Sequence, residues 1–232
     1  MTYKEQYLNR LILYSYTIKH LGLLYGRLGH ILALFELSKD SKYCAQLVYY
    51  ANRELERIIS SVSKNTSVEF ADALCGIGWG IEYLIYNGFV EGNSIEICEE
   101  IDAQLMSANL KSFDNSLENG IKGVLHYVLA HLANCCLQNK GMPFRHEFIS
   151  SLKELCDTIL FSENDSDLTC LAKMFIDYAD NKVNNVYSYN ILQFVNNKDN
   201  ITYDTLSLSL RDGISGLLIK MQNESYNIVT RI

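Results

Sequence analysis

Several side chains in this sequence have types and placements that could do chemistry. Glu82 follows the sole tryptophan, Trp79, by three residues, and Asp212 directly precedes Gly213. Two carboxylates facing one sugar ring can serve as acid and base or nucleophile in glycoside hydrolysis. Each also has a structural role open to it, Glu82 as the partner of a base and Asp212 as a first-turn acid at a helix start. His30, next to Gly29, has the type of a general base; a hydrogen-bonded interior histidine is the alternative. His126, His131, Cys135 and Cys136 come closest to a metal set, since 131 and 135 stand four apart on one helical face. That pair supplies only two of the four ligands zinc takes, so no metal and no cofactor is expected. The seven cysteines are odd in number and lack a CxxC motif, a pattern expected of buried free thiols.

A second set of residues suits binding rather than reaction. Arg27, Lys122 and Arg211 lie in or beside glycine loops that open apolar helices, and Tyr25, Trp79 and His126 lie close by. Helix N-termini present backbone N–H groups and a positive dipole end, which favour an anion or a peptide carboxylate. Solvated loop residues, and a tryptophan wedged in the core, are the plainer readings. The candidate binding surface is therefore Tyr25, Arg27, Trp79, Lys122 and His126, with His30 and Glu82 beside them.

The elements that must position these residues follow from a repeated phrase, a small residue, two others, then glycine. It occurs at Gly26-Arg27-Leu28-Gly29, Ala73-Leu74-Cys75-Gly76, Gly120-Ile121-Lys122-Gly123 and Gly213-Ile214-Ser215-Gly216. The starts are 47, 47 and 93 residues apart, and the last interval is two steps, which predicts a hidden copy near Ser166 to Thr169. Each phrase opens a helix with apolar residues at i, i+3, i+4 and i+7, such as Leu28, Ile31, Leu32 and Phe35. Between them lie more polar helices, predicted over Tyr3 to His20, Cys44 to Val62, Ile95 to Leu105, Phe144 to Leu160 and Val186 to Val195. In the hidden copy Asp167 to Asp180 supplies the second helix, with a loop of different shape because no glycine precedes it.

A period of this size marks stacked supersecondary units. The expectation is a single all-α domain over residues 1–232, built from about five helical hairpins at 1–40, 41–92, 93–140, 141–182 and 183–232. They form a toroid or incomplete toroid with apolar helices inside and amphipathic helices outside. The small residues ahead of each inner helix favour convergence on an axis over an open solenoid.

Composition narrows the partners. The formal charge of −7 is scattered and the 20 Lys and Arg form no cluster, so nucleic acid is not expected. No run reaches 18 apolar residues and no signal-like stretch opens the chain, which reads as cytoplasmic without a membrane span.

The segment from Ala73 through Gly76, Gly78, Trp79 and Gly80 to Ile85, continuing Asn87-Gly88-Phe89-Val90-Glu91-Gly92, resembles a repeat signature of lanthionine synthetase C-like proteins. Leu23-Leu24-Tyr25-Gly26-Arg27-Leu28-Gly29 is similar to the opening repeat of that family, and the phrases at Gly120 and Gly213 to its looser copies. The resemblance implies an α/α toroid whose central cavity binds a peptide. In catalytic members a zinc held by two cysteines and a histidine activates a thiol for thioether formation. This chain lacks the family's tryptophan-cysteine loop and its Cys-His-Gly triplet, and seven hairpins of this period would exceed its 232 residues. A shortened, zinc-free relative is therefore expected. Its leading role is as an accessory or binding protein in ribosomal peptide modification, with a peptide or a peptide-modifying enzyme as partner. The alternatives are a metal-independent enzyme using Glu82, Asp212 or His30 on a sugar or peptide, and an interaction module that self-associates as a homodimer.

Overall fold

At Gly26, Ala73 and Gly120 extended backbone turns into helix at the next residue, and after Gly213 a helix likewise starts at the next residue. In a computed structural model, which describes residues 3–39, 44–63, 66–162, 165–182, 186–196 and 207–229, all regular secondary structure among those residues is helical. The helices are α1 (Tyr3–Tyr14), α2 (Arg27–Leu37), α3 (Cys44–Ser61), α4 (Leu74–Tyr86), α5 (Ser94–Ile97), α6 (Glu99–Ser107), α7 (Ile121–Leu137), α8 (His146–Ser162), α9 (Ser166–Ala179) and α10 (Ile214–Val229). Short 3-10 turns occupy Ser15–Thr17, Leu110–Ser112 and Ile191–Phe194. Among the described residues no helix is long and apolar enough to cross a membrane.

The four phrases close their loops by one shared device. The N–H of the first helical residue donates to the carbonyl seven residues earlier: Arg27 to His20 at 2.9 Å, Leu74 to Ser67 at 3.1 Å, Ile121 to Asp114 at 2.7 Å and Ile214 to Ser207 at 3.0 Å. This satisfies one of the donors that a helix start leaves open. The fourth-position glycines serve the same closure. A Cβ at Gly29, Gly123 or Gly216 would stand 2.1, 2.3 or 2.2 Å from the carbonyl oxygen six residues back.

α9 begins where the hidden copy is expected, and it starts differently. The side chain of Asp165 caps it, accepting from the N–H groups of Asp167 at 2.9 Å and Leu168 at 3.1 Å. A carboxylate at this position does chemically what the glycine loop does elsewhere by folding back on itself. Leu168, Leu171, Phe175 and Tyr178 face inward, as their spacing predicts.

The chain divides into two compact units, residues 1–63 with 190–232, and residues 64–189. In the first unit α2 packs on α3 and α10, and α1 packs on α10. All of α2 from Leu28 to Leu37 is buried, whereas α3 buries only the stripe Leu47, Ala51, Leu55 and Ile58. Each large aliphatic on that stripe contributes about 1.5–3 kcal/mol by leaving water. The carbonyl of Leu24 accepts from both Leu210 and Arg211 N–H at 3.0 Å, tying the loop before α2 to the loop before α10.

The second unit repeats that tie. The carbonyl of Glu118 accepts from Phe70 and Ala71 N–H, again at 3.0 Å, joining the loops ahead of α4 and α7. Here α4 packs on α7, α7 on α9, and α8 on α9. Gly78 lets α4 and α7 approach closely, because a Cβ there would stand 2.2 Å from the Tyr127 ring.

Three elements differ from the periodicity. The predicted helix over Val186 to Val195 is instead a helix-free stretch at 186–190 followed by the Ile191–Phe194 turn. Tyr187 is buried while Val186 and Ser188 are exposed, the alternation of an extended chain, and the Asn190 side chain starts the turn by accepting from Leu192 N–H at 3.0 Å. The first helix ends at Tyr14 rather than His20, its chain tightening into a 3-10 turn whose Ser15 hydroxyl bonds the Ile12 carbonyl at 3.0 Å. The helix predicted over Ile95 to Leu105 is broken at Cys98 into α5 and α6.

Candidate functional site

The second unit gathers polar side chains that its apolar helices would otherwise exclude. Trp79 on α4 and His126 on α7 each stand six residues after the opening small residue of their phrase, and are themselves 47 residues apart. Equivalent placement brings them to one atom. The indole Nε1 of Trp79 donates to the Tyr187 hydroxyl at 2.8 Å, and that hydroxyl lies 2.8 Å from Nδ1 of His126.

Hydrogen-bonding capacity fixes the direction of the first step. Indole is a donor only, so the Tyr187 oxygen accepts from Trp79, and the same hydroxyl shares a second hydrogen bond with His126 Nδ1. Burial, aided by the nearby Lys122 charge, holds the His126 pKa down at about 3, which keeps the imidazole neutral. The Tyr187 ring meets His126 edge-on with centroids 6.0 Å apart, and Trp79 stacks on Tyr83 at 5.2 Å.

Residues 186–190 cross this point as a strap. Tyr187 N–H donates to the Tyr178 hydroxyl at 3.4 Å. Two residues on, Tyr189 donates its hydroxyl to the Ala130 carbonyl and stacks on Tyr86 with centroids 4.2 Å apart.

Farther along the same helices lies a buried acid–imidazole network. Glu82 gives one carboxylate oxygen to Nδ1 of His131 and the other to the Asn134 amide at 2.6 Å. Asp102 on α6 accepts from His131 Nε2 at 3.1 Å and from the Tyr127 hydroxyl at 2.5 Å. Burial works against a charged His131, but hydrogen bonds and charge from Asp102 and Glu82 win and lift its pKa to about 9. Each carboxylate oxygen in the network has a partner, which is the condition for burying such charge. Asp102 also lines a groove of about 600 Å³ together with Glu96, Glu99, Met106, Pro143 and Arg145.

The remaining candidates are placed as follows. Lys122 is paired with Asp165 at 2.8 Å and Asp167 at 3.5 Å, across to the start of α9. In the first unit, Arg27 donates Nε to the Ile18 carbonyl at 2.8 Å, and Tyr25 is partly exposed. Asp212 accepts from the Ser209 hydroxyl at 2.6 Å, a local loop contact. His30 is buried with neither ring nitrogen hydrogen-bonded, and burial lowers its pKa to about 4. It faces the edge of Tyr50 at 6.3 Å.

Among the described residues, no group of three or more His, Cys, Asp or Glu is arranged to hold a metal ion. His131 spends both nitrogens on carboxylates. All seven cysteines are free. Cys75, Cys98, Cys135 and Cys156 are buried, with burial raising each thiol pKa, whereas Cys44, Cys136 and Cys170 are exposed, against the expectation of burial.

Asp102, Tyr127, Asn134, Tyr187 and Tyr189 escaped the sequence reading. Asp102 had a usable signal, since it interrupts the apolar stripe Cys98, Ile101 and Leu105 at the i+4 position. Tyr187 and Tyr189 had another, their i, i+2 spacing in a segment too short and polar for a sure helix.

The chain matches no family model, no curated protein and no solved structure.

Proposed function

We propose that this protein is a metal-free peptide-binding module that serves as an accessory in the modification of ribosomally made peptides. Its helical hairpins form a toroid or arc of the lanthionine synthetase C-like kind. The observation that carries this reading is the convergence of Trp79 and His126, one phrase interval apart, on a single hydroxyl at 2.8 Å each. A polar point of that kind, sunk among aromatic rings, supports recognition of a side chain: the rings supply apolar contact, and a ligand group that replaces the Tyr187 hydroxyl would be oriented by the two nitrogens.

The electrostatics favour binding over acid–base catalysis. Glu82 has both oxygens committed to His131 and Asn134, and the His126 and His30 pKa values lie far below the neutral range in which a general base works best.

Because Trp79 is the sole tryptophan, its emission reports on this point alone. Titration with linear precursor-type peptides rich in Ser, Thr and Cys is expected to give a saturable change in emission that added chelator leaves unaltered. Absence of any saturable change, or its dependence on zinc, would contradict the reading.

A further inference from the structure

The acid–imidazole network of the second unit carries more negative than positive charge. Glu82 and Asp102 hold one imidazole between them, and with its pKa at about 9 His131 is protonated at neutral pH. Their other hydrogen-bond partners, the Asn134 amide and the Tyr127 hydroxyl, are neutral. Two carboxylates against one imidazolium leave a buried negative charge without a counter-charge, an arrangement that costs stability. Asp102 also lines the groove of about 600 Å³, so a cation seated in that groove can approach the network.

The groove extends the same chemistry. Glu99, Asp102, Ala103 and Met106 stand at i, i+3, i+4 and i+7, so one face of α6 forms its wall. Glu96 and Glu99 are exposed there, and Arg145 is the one base among the lining residues. These carboxylates do not converge on an ion, since among the described residues no three His, Cys, Asp or Glu side chains are arranged to hold a metal. An ammonium group fits better: its three donors can meet acceptors spread along a helix, and the aliphatic stem behind it suits Ile95, Ala103, Met106 and Pro143.

Met106 is shared with a second groove of about 230 Å³, whose apolar lining is Leu110, Phe148 and Leu155. It stands one helical turn, about 6 Å, beyond Asp102. In an extended peptide, residues i and i+2 lie on one side at nearly that spacing, about 7 Å. We propose that the two grooves together dock an extended peptide bearing a basic residue and, two positions away, an apolar one. The basic side chain lies against Glu96, Glu99 and Asp102, and the apolar one against Leu110, Phe148 and Leu155. Charge complementarity selects the occupant of the first groove, and the apolar lining of the second favours a peptide over a free polyamine. Neither groove includes Trp79 or His126, so this surface is separate from the site of the proposed function.

The test follows backbone amide and Trp79 indole resonances of the full-length protein as acetyl-Lys-Ser-Leu-amide, acetyl-norleucyl-Ser-Leu-amide or spermidine is added. The lysine peptide is expected to shift amides of residues 96–106 and 145–151 saturably. It should bind about tenfold more tightly than the norleucine peptide, which keeps the stem and drops the charge. Ala103→Lys, an exposed change on the groove wall, sets a tethered ammonium among the carboxylates and should weaken the lysine peptide about tenfold. Equal affinity for the two peptides, no saturable shift at millimolar peptide, or undiminished binding to Ala103→Lys would overturn the docking surface. Spermidine binding as tightly as the lysine peptide would overturn the choice of a peptide as occupant. Shifts confined to the Trp79 indole and its neighbours would overturn the docking surface and support the Trp79–His126 site instead.

Discussion

Three buried histidines in this chain have three different electrostatic fates, each set by its partners. His131 sits between two carboxylates and is held up at about 9, whereas burial holds His126 down at about 3 and His30 at about 4. Because the His131 pKa is raised above the ordinary 6.5, its contribution to stability is complete below that pH and is lost as pH climbs through 9. The two lowered histidines contribute in the opposite sense: the unfolded chain takes up their protons between pH 6.5 and 4, so stability falls on acidification. Chemical denaturation across pH should therefore show a maximum near 6.5, with a loss on the order of 3 kcal/mol toward pH 9 and, because two histidines titrate there, on the order of 6 kcal/mol toward pH 4. A profile flat from pH 5 to 9 would contradict this assignment of charge. His30→Leu is expected to be neutral or to stabilise by about 1 kcal/mol, since it removes an unpartnered buried polar ring, and a thermal melt reads the sign.

At the scale of elements, the sequence was most legible where the physics is local. The starts of α2, α4, α7 and α10 follow from small residues that permit a tight loop, and the stripe of α9 follows from apolar spacing alone. What closes those loops, a hydrogen bond to the carbonyl seven residues back, is a backbone contact that the sequence marks only through the fourth-position glycine that leaves room for it. The strap at 186–190 was illegible for the opposite reason, since its extended form depends on Trp79, His126 and Ala130, some 60 to 110 residues away in sequence. Gly123→Ala should lose about 3 kcal/mol, because its Cβ would stand 2.3 Å from the Leu117 carbonyl oxygen and 2.4 Å from Phe70 Cβ. Gly141→Ala, with no atom within 4 Å, should stay within about 1 kcal/mol of the native chain. Equal melting temperatures for the two variants would argue against the loop closure.

At the scale of the whole molecule, an evenly spaced phrase gives no hint of where compact units divide. The division sets α3 with α2 in one unit and α4 with α7 in the other, with residues 64–189 forming a continuous unit between the two parts of the first. That unit holds the acid–imidazole network and the Tyr187 hydroxyl chain among its own residues. A fragment of residues 64–189 is accordingly expected to be helical by circular dichroism and to unfold cooperatively, with Trp79 emission as in the intact protein. A fragment without cooperative unfolding would show that the network needs the rest of the chain.

Heteronuclear NMR of the Trp79 indole, the sole indole in the chain, tests the central claim that Trp79 and His126 together receive the Tyr187 hydroxyl. In the native protein the indole N–H is expected downfield and slow to exchange with solvent. In Tyr187→Phe it should move upfield and exchange at least about tenfold faster, with a concurrent shift of the His126 ring nitrogens as Nδ1 loses its hydrogen-bond partner. An indole resonance and imidazole nitrogens unchanged by Tyr187→Phe would contradict the shared hydroxyl and, with it, the site on which the functional reading stands.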